Sequence, residues 1–245
     1  MRMIVMLMVV FVAGGAYPAA AQTTAPATTQ GVGKLPHIDV DVANKRVRVE
    51  CEALHVIAPL EFFACVTGTS EHEAVMRSEA RPSHLHLALV MLGLTPGQGV
   101  HYDEREKKWI EPSGPPLKLS VEYEKDGKRV TRGAHELMRD IKSKKEMPEV
   151  TWVFTGSKIM PDQTYGADRT GYLVSIVNFE LSPIDFPALA SNANETLEWE
   201  TNLDEMPAKG SKMTLIIEPA KEVVRPPAGT PPKEKEDLER GAGAK

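Results

Sequence analysis

Cys65, His72, Glu73 and His86 are the side chains in this chain best equipped for chemistry. Thiolate, imidazole and carboxylate are the common ligands of zinc and copper, and the same groups act as nucleophile, base and acid. They fall in the run Ala64-Cys65-Val66-Thr67-Gly68-Thr69-Ser70-Glu71-His72-Glu73, followed by Pro82-Ser83-His84-Leu85-His86. No HExxH motif is present, because Met76 stands where the second histidine would be. His84 and His86 share a face only on a strand; on a helix they point about 200° apart, so one at most can join a given site. A turn beside Cys65 and a helix start at His86 predict that these groups meet at one edge of the core. His72, His86 and Cys65 are then the candidate metal ligands. The competing structural roles are plain. Ser70-x-x-Glu73 fits a capping box, and a buried histidine is commonly satisfied by a backbone carbonyl.

Asp168, Asn178, Asp185 and Asn192 flank apolar runs. Turns and backbone capping explain such residues more readily than ligand binding, so Asp168, Asn178 and Asn192 are secondary candidates. Gly-x-Ser-x-Gly, Gly-x-Gly-x-x-Gly and the P-loop are all absent, which leaves a nucleotide cofactor without a cradle. Cys51 and Cys65 are the only cysteines. Three states are open to them: a structural disulfide across a hairpin centred near Ala58, two buried thiols, or a reactive or metal-binding Cys65.

The elements that must position these groups are mostly strands. Ile38 to Val42 and Val47 to Cys51 alternate apolar with polar residues, and Leu60 to Cys65 follows, predicting an antiparallel opening meander. Ser83 to Leu92 reads as a helix apolar on nearly every face, hence as a central buried helix. Strands are predicted at Leu117 to Tyr123 and Arg129 to Arg132, joined by the turn Lys125-Asp126-Gly127. A short helix is expected at His135 to Lys142, and further strands at Thr151 to Phe154, Tyr172 to Phe179 and Met213 to Glu218. The expected fold class is α+β, a largely antiparallel sheet with a central buried helix and few other short helices.

At the ends, Arg2, the apolar run Ile4 to Ala16 and Ala19-Ala20-Ala21 read as a signal peptide over residues 1–21. Its apolar run is shorter than the ~20 residues of a membrane span, so no integral anchor is expected after cleavage. Residues 22–33 read as a disordered linker, 34–220 as one domain and 221–245 as a disordered, charged, Pro-rich tail. A net charge of −5, with basic clusters interleaved by glutamates, argues against a nucleic-acid partner.

Phe62-Phe63-Ala64-Cys65-x-x-Gly68-Thr69-x-x-His72-Glu73-Ala74-Val75 and Pro82-Ser83-His84-Leu85-His86 resemble the YdjY-domain family. So do Trp152-Val153-Phe154-x-Gly156-Ser157, Ala167-Asp168-x-x-Gly171, Asn178-Phe179 and Asp185-x-Pro187. The resemblance spans Lys34 to Pro219 and implies exported bacterial proteins, but no particular reaction. Some relatives carry ferredoxin segments; two cysteines are too few for an iron–sulfur cluster. The expectation is a periplasmic or secreted binding or interaction module, with a transition metal such as zinc as its candidate cofactor. The alternative is a metal- or thiol-dependent enzyme using Cys65, His72, Glu73 and His86.

Overall fold

The computed structural model describes residues 32–193 and 196–225. The segment read as signal peptide, almost all of that read as linker, and the part beyond Arg225 of that read as tail lie outside them. Strands come in chain order as β1 (Val32–Leu35), β2 (Ile38–Asp41), β3 (Arg46–Ala53), β4 (Phe62–Val66) and β5 (Ala74–Ser78). Helix α1 (Pro82–Met91) follows, then β6 (His101–Asp103), β7 (Lys108–Ile110), β8 (Pro116–Lys125), β9 (Lys128–Gly133) and β10 (Met138–Asp140). The last elements are β11 (Trp152–Phe154), α2 (Gly166–Thr170), β12 (Tyr172–Ser175), β13 (Ile184–Asp185), β14 (Trp199–Thr201) and β15 (Lys212–Pro219).

The long strands form because their residues alternate. In β8, Leu117, Leu119, Val121 and Tyr123 are buried. Val47, Val49 and Cys51 of β3 and Met213, Leu215 and Ile217 of β15 join them in one core. Between them the outward residues pair across strands, Arg48 with Glu122 at 3.0 Å and Arg46 with Glu218 at 2.8 Å. Asp126 and Gly127, both at positive φ, make the predicted tight turn between β8 and β9.

Most strands join one 11-stranded sheet whose main path runs β12-β4-β5-β3-β15-β8-β11-β13. Its two ends return to each other. Trp152 Nε1 on β11 donates to the Ser175 carbonyl on β12 at 3.0 Å, and the Ser175 and Ser182 hydroxyls lie 2.7 Å apart. The sheet is therefore nearly closed and barrel-like, and the protein is mostly β.

This corrects the α+β expectation with its central buried helix. A sheet that curls on itself fills its interior with its own side chains, here Phe63, Trp152 and Phe186 among others, leaving no layer for a helix to cover. Helix α1 adds only Leu85, Ala88 and Leu89 to that core, while Leu87, Val90 and Met91 face out. An apolar circumference thus did not mean burial on all sides. The segment expected as a helix from His135 is a 3-10 turn, Ala134–Leu137, running into β10.

The opening meander also changes. β5 sits between β3 and β4, antiparallel to the first and parallel to the second. Cys51 and Cys65 are therefore not hairpin neighbours, since strands two steps apart are separated by about 9.5 Å, beyond the reach of a disulfide. Both are free and buried, in different core clusters. At the far end, Val224 exchanges backbone and side-chain hydrogen bonds with Thr151, and Arg225 pairs with Glu111.

Candidate functional site

Helix α1 opens on Pro82, whose fixed φ suits the first turn. No side chain of its own caps it. Instead Asp168, carried on α2, accepts from the Ser83 amide and the Ser83 hydroxyl, both at 2.8 Å, and pairs with Arg81 at 2.8 Å. A carboxylate at a helix N-terminus is favoured by the free amides and the dipole. Asp168→Ala is expected to cost about 1–2 kcal/mol, read as a lower urea midpoint. No change would mean that water caps α1 equally well.

One turn along α1, the half-buried His86 ring meets Phe154 and Tyr165 edge-on, with centroids at 5.2 and 5.5 Å. Its Nδ1 lies 3.1 Å from the Gly156 carbonyl oxygen and 3.1 Å from the Tyr165 hydroxyl. A carbonyl can only accept, so Nδ1 carries the proton and Nε2 keeps a lone pair. Among the described residues no protein group bonds Nε2. Burial pulls the His86 pKa below the usual imidazole range, opposed in part by the Gly156 bond, and so favours the neutral ring. The Tyr165 hydroxyl donates to the same carbonyl at 3.0 Å. Burial, helped by the Asp168 charge, pushes its pKa up and keeps it a phenol.

Gly156 and Ser157 both have positive φ, +85° and +55°. Glycine is required at the first, where a Cβ would lie 2.3 Å from Pro96 Cβ. At the second a serine holds a conformation that L-residues rarely adopt, of the kind that concentrates at functional sites. The Ser157 hydroxyl is buried and makes no well-formed hydrogen bond, but it lies close enough to the Tyr165 hydroxyl to offset part of that group's upward shift. These groups line a groove of about 440 Å³ with Ser83, Pro96 and Ile159. Ile159 is 61% exposed at its mouth.

The four primary candidates do not meet. Cys65 is fully buried on β4, and burial pushes its pKa up to about 12. A thiol held in that form is a poor nucleophile and a poor ligand. His72 is exposed on the 3-10 turn Glu71–Glu73, 3.5 Å from Glu73. That turn adjoins the start of β4, where the Glu61 amide donates to the Glu73 carbonyl at 3.0 Å, whereas Cys65 sits near the far end of the strand. Among the described residues no group of three or more His, Cys, Asp or Glu side chains is placed to hold a metal. The capping box at Ser70 is not made; Glu71 accepts from the Gly68 amide instead.

Asn178 and Asp185 are fully buried and serve the closure of the sheet. Asp185 accepts from Asn178 Nδ2, the Phe179 amide and the Phe186 amide at 3.1, 3.3 and 2.8 Å. Asn192 is half-buried and lines no part of the groove. Of the candidates, His72 pairs only with its neighbour Glu73, and Asp168 caps the helix that carries His86 without lining the groove. Ser83, Gly156, Ser157 and Tyr165 were missed, although Pro82-Ser83 and Gly156-Ser157 stand in the segments that carry the family resemblance.

Two carboxyls tie stability to pH. Burial, reinforced by the Glu73 charge, raises Glu61 to about 8, and burial raises Asp185 to about 7 against its three donors. A raised folded pKa means the folded state holds the proton more tightly. Their contribution is complete below the unfolded values, near 4, and is lost as pH rises through about 7 and 8. Asp41, Asp103, Asp140 and Asp162 shift downward, held by local hydrogen bonds, and their contribution is lost in acid. Stability is expected to peak on the acid side of neutrality and fall from about pH 5 to 8. Urea midpoints rising steadily across that range would contradict it.

Among the described residues no helix is long and apolar enough to cross a membrane. A family model described as the YdjY domain matches residues 38–218. No curated protein and no solved structure matches the chain.

Proposed function

The chain belongs to the YdjY-domain family, and from that premise we propose that its domain is a binding module whose ligand site is the groove at His86, Ser157 and Tyr165. The observation that carries this reading is the groove beside His86, where the Nε2 lone pair has no protein partner among the described residues and stands with the positive-φ Ser157 and the Tyr165 hydroxyl. The remaining wall is apolar, at Pro96 and Ile159. Small apolar sites with a few converging polar groups are the usual form of ligand pockets. The occupant is then a small molecule with an apolar body and an O–H or N–H donor for Nε2. The N-terminal Arg2, the apolar run after it and Ala19-Ala20-Ala21 support placing the module outside the cytoplasm as part of the same proposal. The buried thiol of Cys65 weighs against the thiol-enzyme alternative.

The test is an amide NMR titration with p-cresol and with toluene at pH 7.5. p-Cresol should shift Gly156, Ser157 and Tyr165, and toluene, lacking the donor, should bind about tenfold more weakly. Acidification should weaken p-cresol, because protonated Nε2 no longer accepts. Scattered shifts, or equal binding of the two probes, would overturn the proposal.

A further inference from the structure

The groove does not end at Ser157. A second cavity of about 240 Å³ is lined by Gln98, Gly99, His101 and Glu180, and it shares Gly97, Ser157 and Lys158 with the first. The two arms differ in chemistry. The His86 arm is apolar with neutral hydrogen-bonding groups, whereas the second arm, also apolar over most of its surface, carries both charges of one ion pair. Lys158 lines both arms and pairs with Glu180 on the wall of the second. The Lys158 side chain is half exposed, so this pair is open to exchange with a ligand at little cost, as exposed pairs contribute about 0–1 kcal/mol.

An ion pair lining a cavity discriminates by sign. An anion would be drawn to Lys158 but opposed by Glu180, and a cation would meet the reverse. A head group with both charges answers both, its carboxylate against Lys158 and its ammonium against Glu180. Resting on the binding reading above, we propose that the ligand is a zwitterionic α-amino acid whose apolar side chain ends in an O–H or N–H donor. The side chain fills the His86 arm with its donor on Nε2, the head group lies in the second arm, and the junction at Ser157 lies between them.

The experiment titrates the protein with L-tyrosine, tyramine, 3-(4-hydroxyphenyl)propionate and p-cresol, following the amides of Gly97, Ser157 and Lys158 by NMR. Tyrosine should bind at least about fivefold more tightly than tyramine, the propionate or p-cresol. Only tyrosine should shift Gly99 and Glu180 together with Ser157. In Glu180→Gln, a change confined to the second arm, the advantage of tyrosine over 3-(4-hydroxyphenyl)propionate should vanish while p-cresol binding persists. Binding of p-cresol with no gain for tyrosine would overturn the zwitterion assignment and leave the binding site standing. Failure of every probe to perturb Ser157 would overturn both.

Discussion

Asp185→Ala is expected to lower the unfolding free energy by about 3–5 kcal/mol, because it strands three donors of one buried carboxyl. The carboxyl is fully buried and answers three donors at once: the Asn178 amide group and the Phe179 and Phe186 backbone amides. Alanine offers none of them an acceptor, and each stranded donor costs about 1–3 kcal/mol, with incomplete additivity. Asparagine at this position keeps one acceptor but turns an NH₂ group towards donors, so it should recover only part of the loss. Urea unfolding followed by circular dichroism reads the change as a shifted midpoint at constant slope. A loss below about 1 kcal/mol would show that the three donors find other partners.

Trp152→Ala should be comparably severe, about 3–5 kcal/mol. The indole is completely buried between Phe63 and Phe186, at centroid distances of 5.9 and 5.1 Å. It also closes the sheet, donating from β11 to the Ser175 carbonyl on β12. Trp152→Phe separates the two contributions: it retains much of the packing and strands only the carbonyl, for a loss of about 1–3 kcal/mol. Asp185 follows the Ile184 carbonyl, which accepts from Ser182, itself in contact with Ser175. The two residues therefore lie on one seam, and their double mutant should lose less than the sum of the singles. Strict additivity would mean that the seam does not act as a unit.

Local pattern made much of this protein legible. Period-two alternation placed β2 and β3, because a strand with one buried face writes that burial into every second residue, and β8 and β15 were expected as strands. Asp126-Gly127 located a tight turn, since few residues accept positive φ. Pro82 and Ser83 located the start of α1. The motifs that carry the family resemblance identified the YdjY domain, and they contain Ser83, His86, Gly156 and Ser157 of the groove. β5 was not legible. Ala74 to Ser78 is buried almost throughout, so it shows no alternation, and its insertion beside β4 dismantled both the Cys51–Cys65 hairpin and the gathering of Cys65, His72 and His86.

What the sequence determined by itself was local: which segments extend, where the chain turns, and to which family it belongs. Closure of the sheet, the exposed side of α1 and the site were decided only in the tertiary structure. His86, Ser157, Tyr165 and Asp168 come from three separated segments, and the groove exists because closing the sheet brings the loop after β11 and helix α2 against α1. Such contacts depend on distances between segments far apart in the chain, which residue spacing does not encode. The protonation of His86 follows from a carbonyl seventy residues away, and no property of the segment Pro82 to Leu92 could have supplied it.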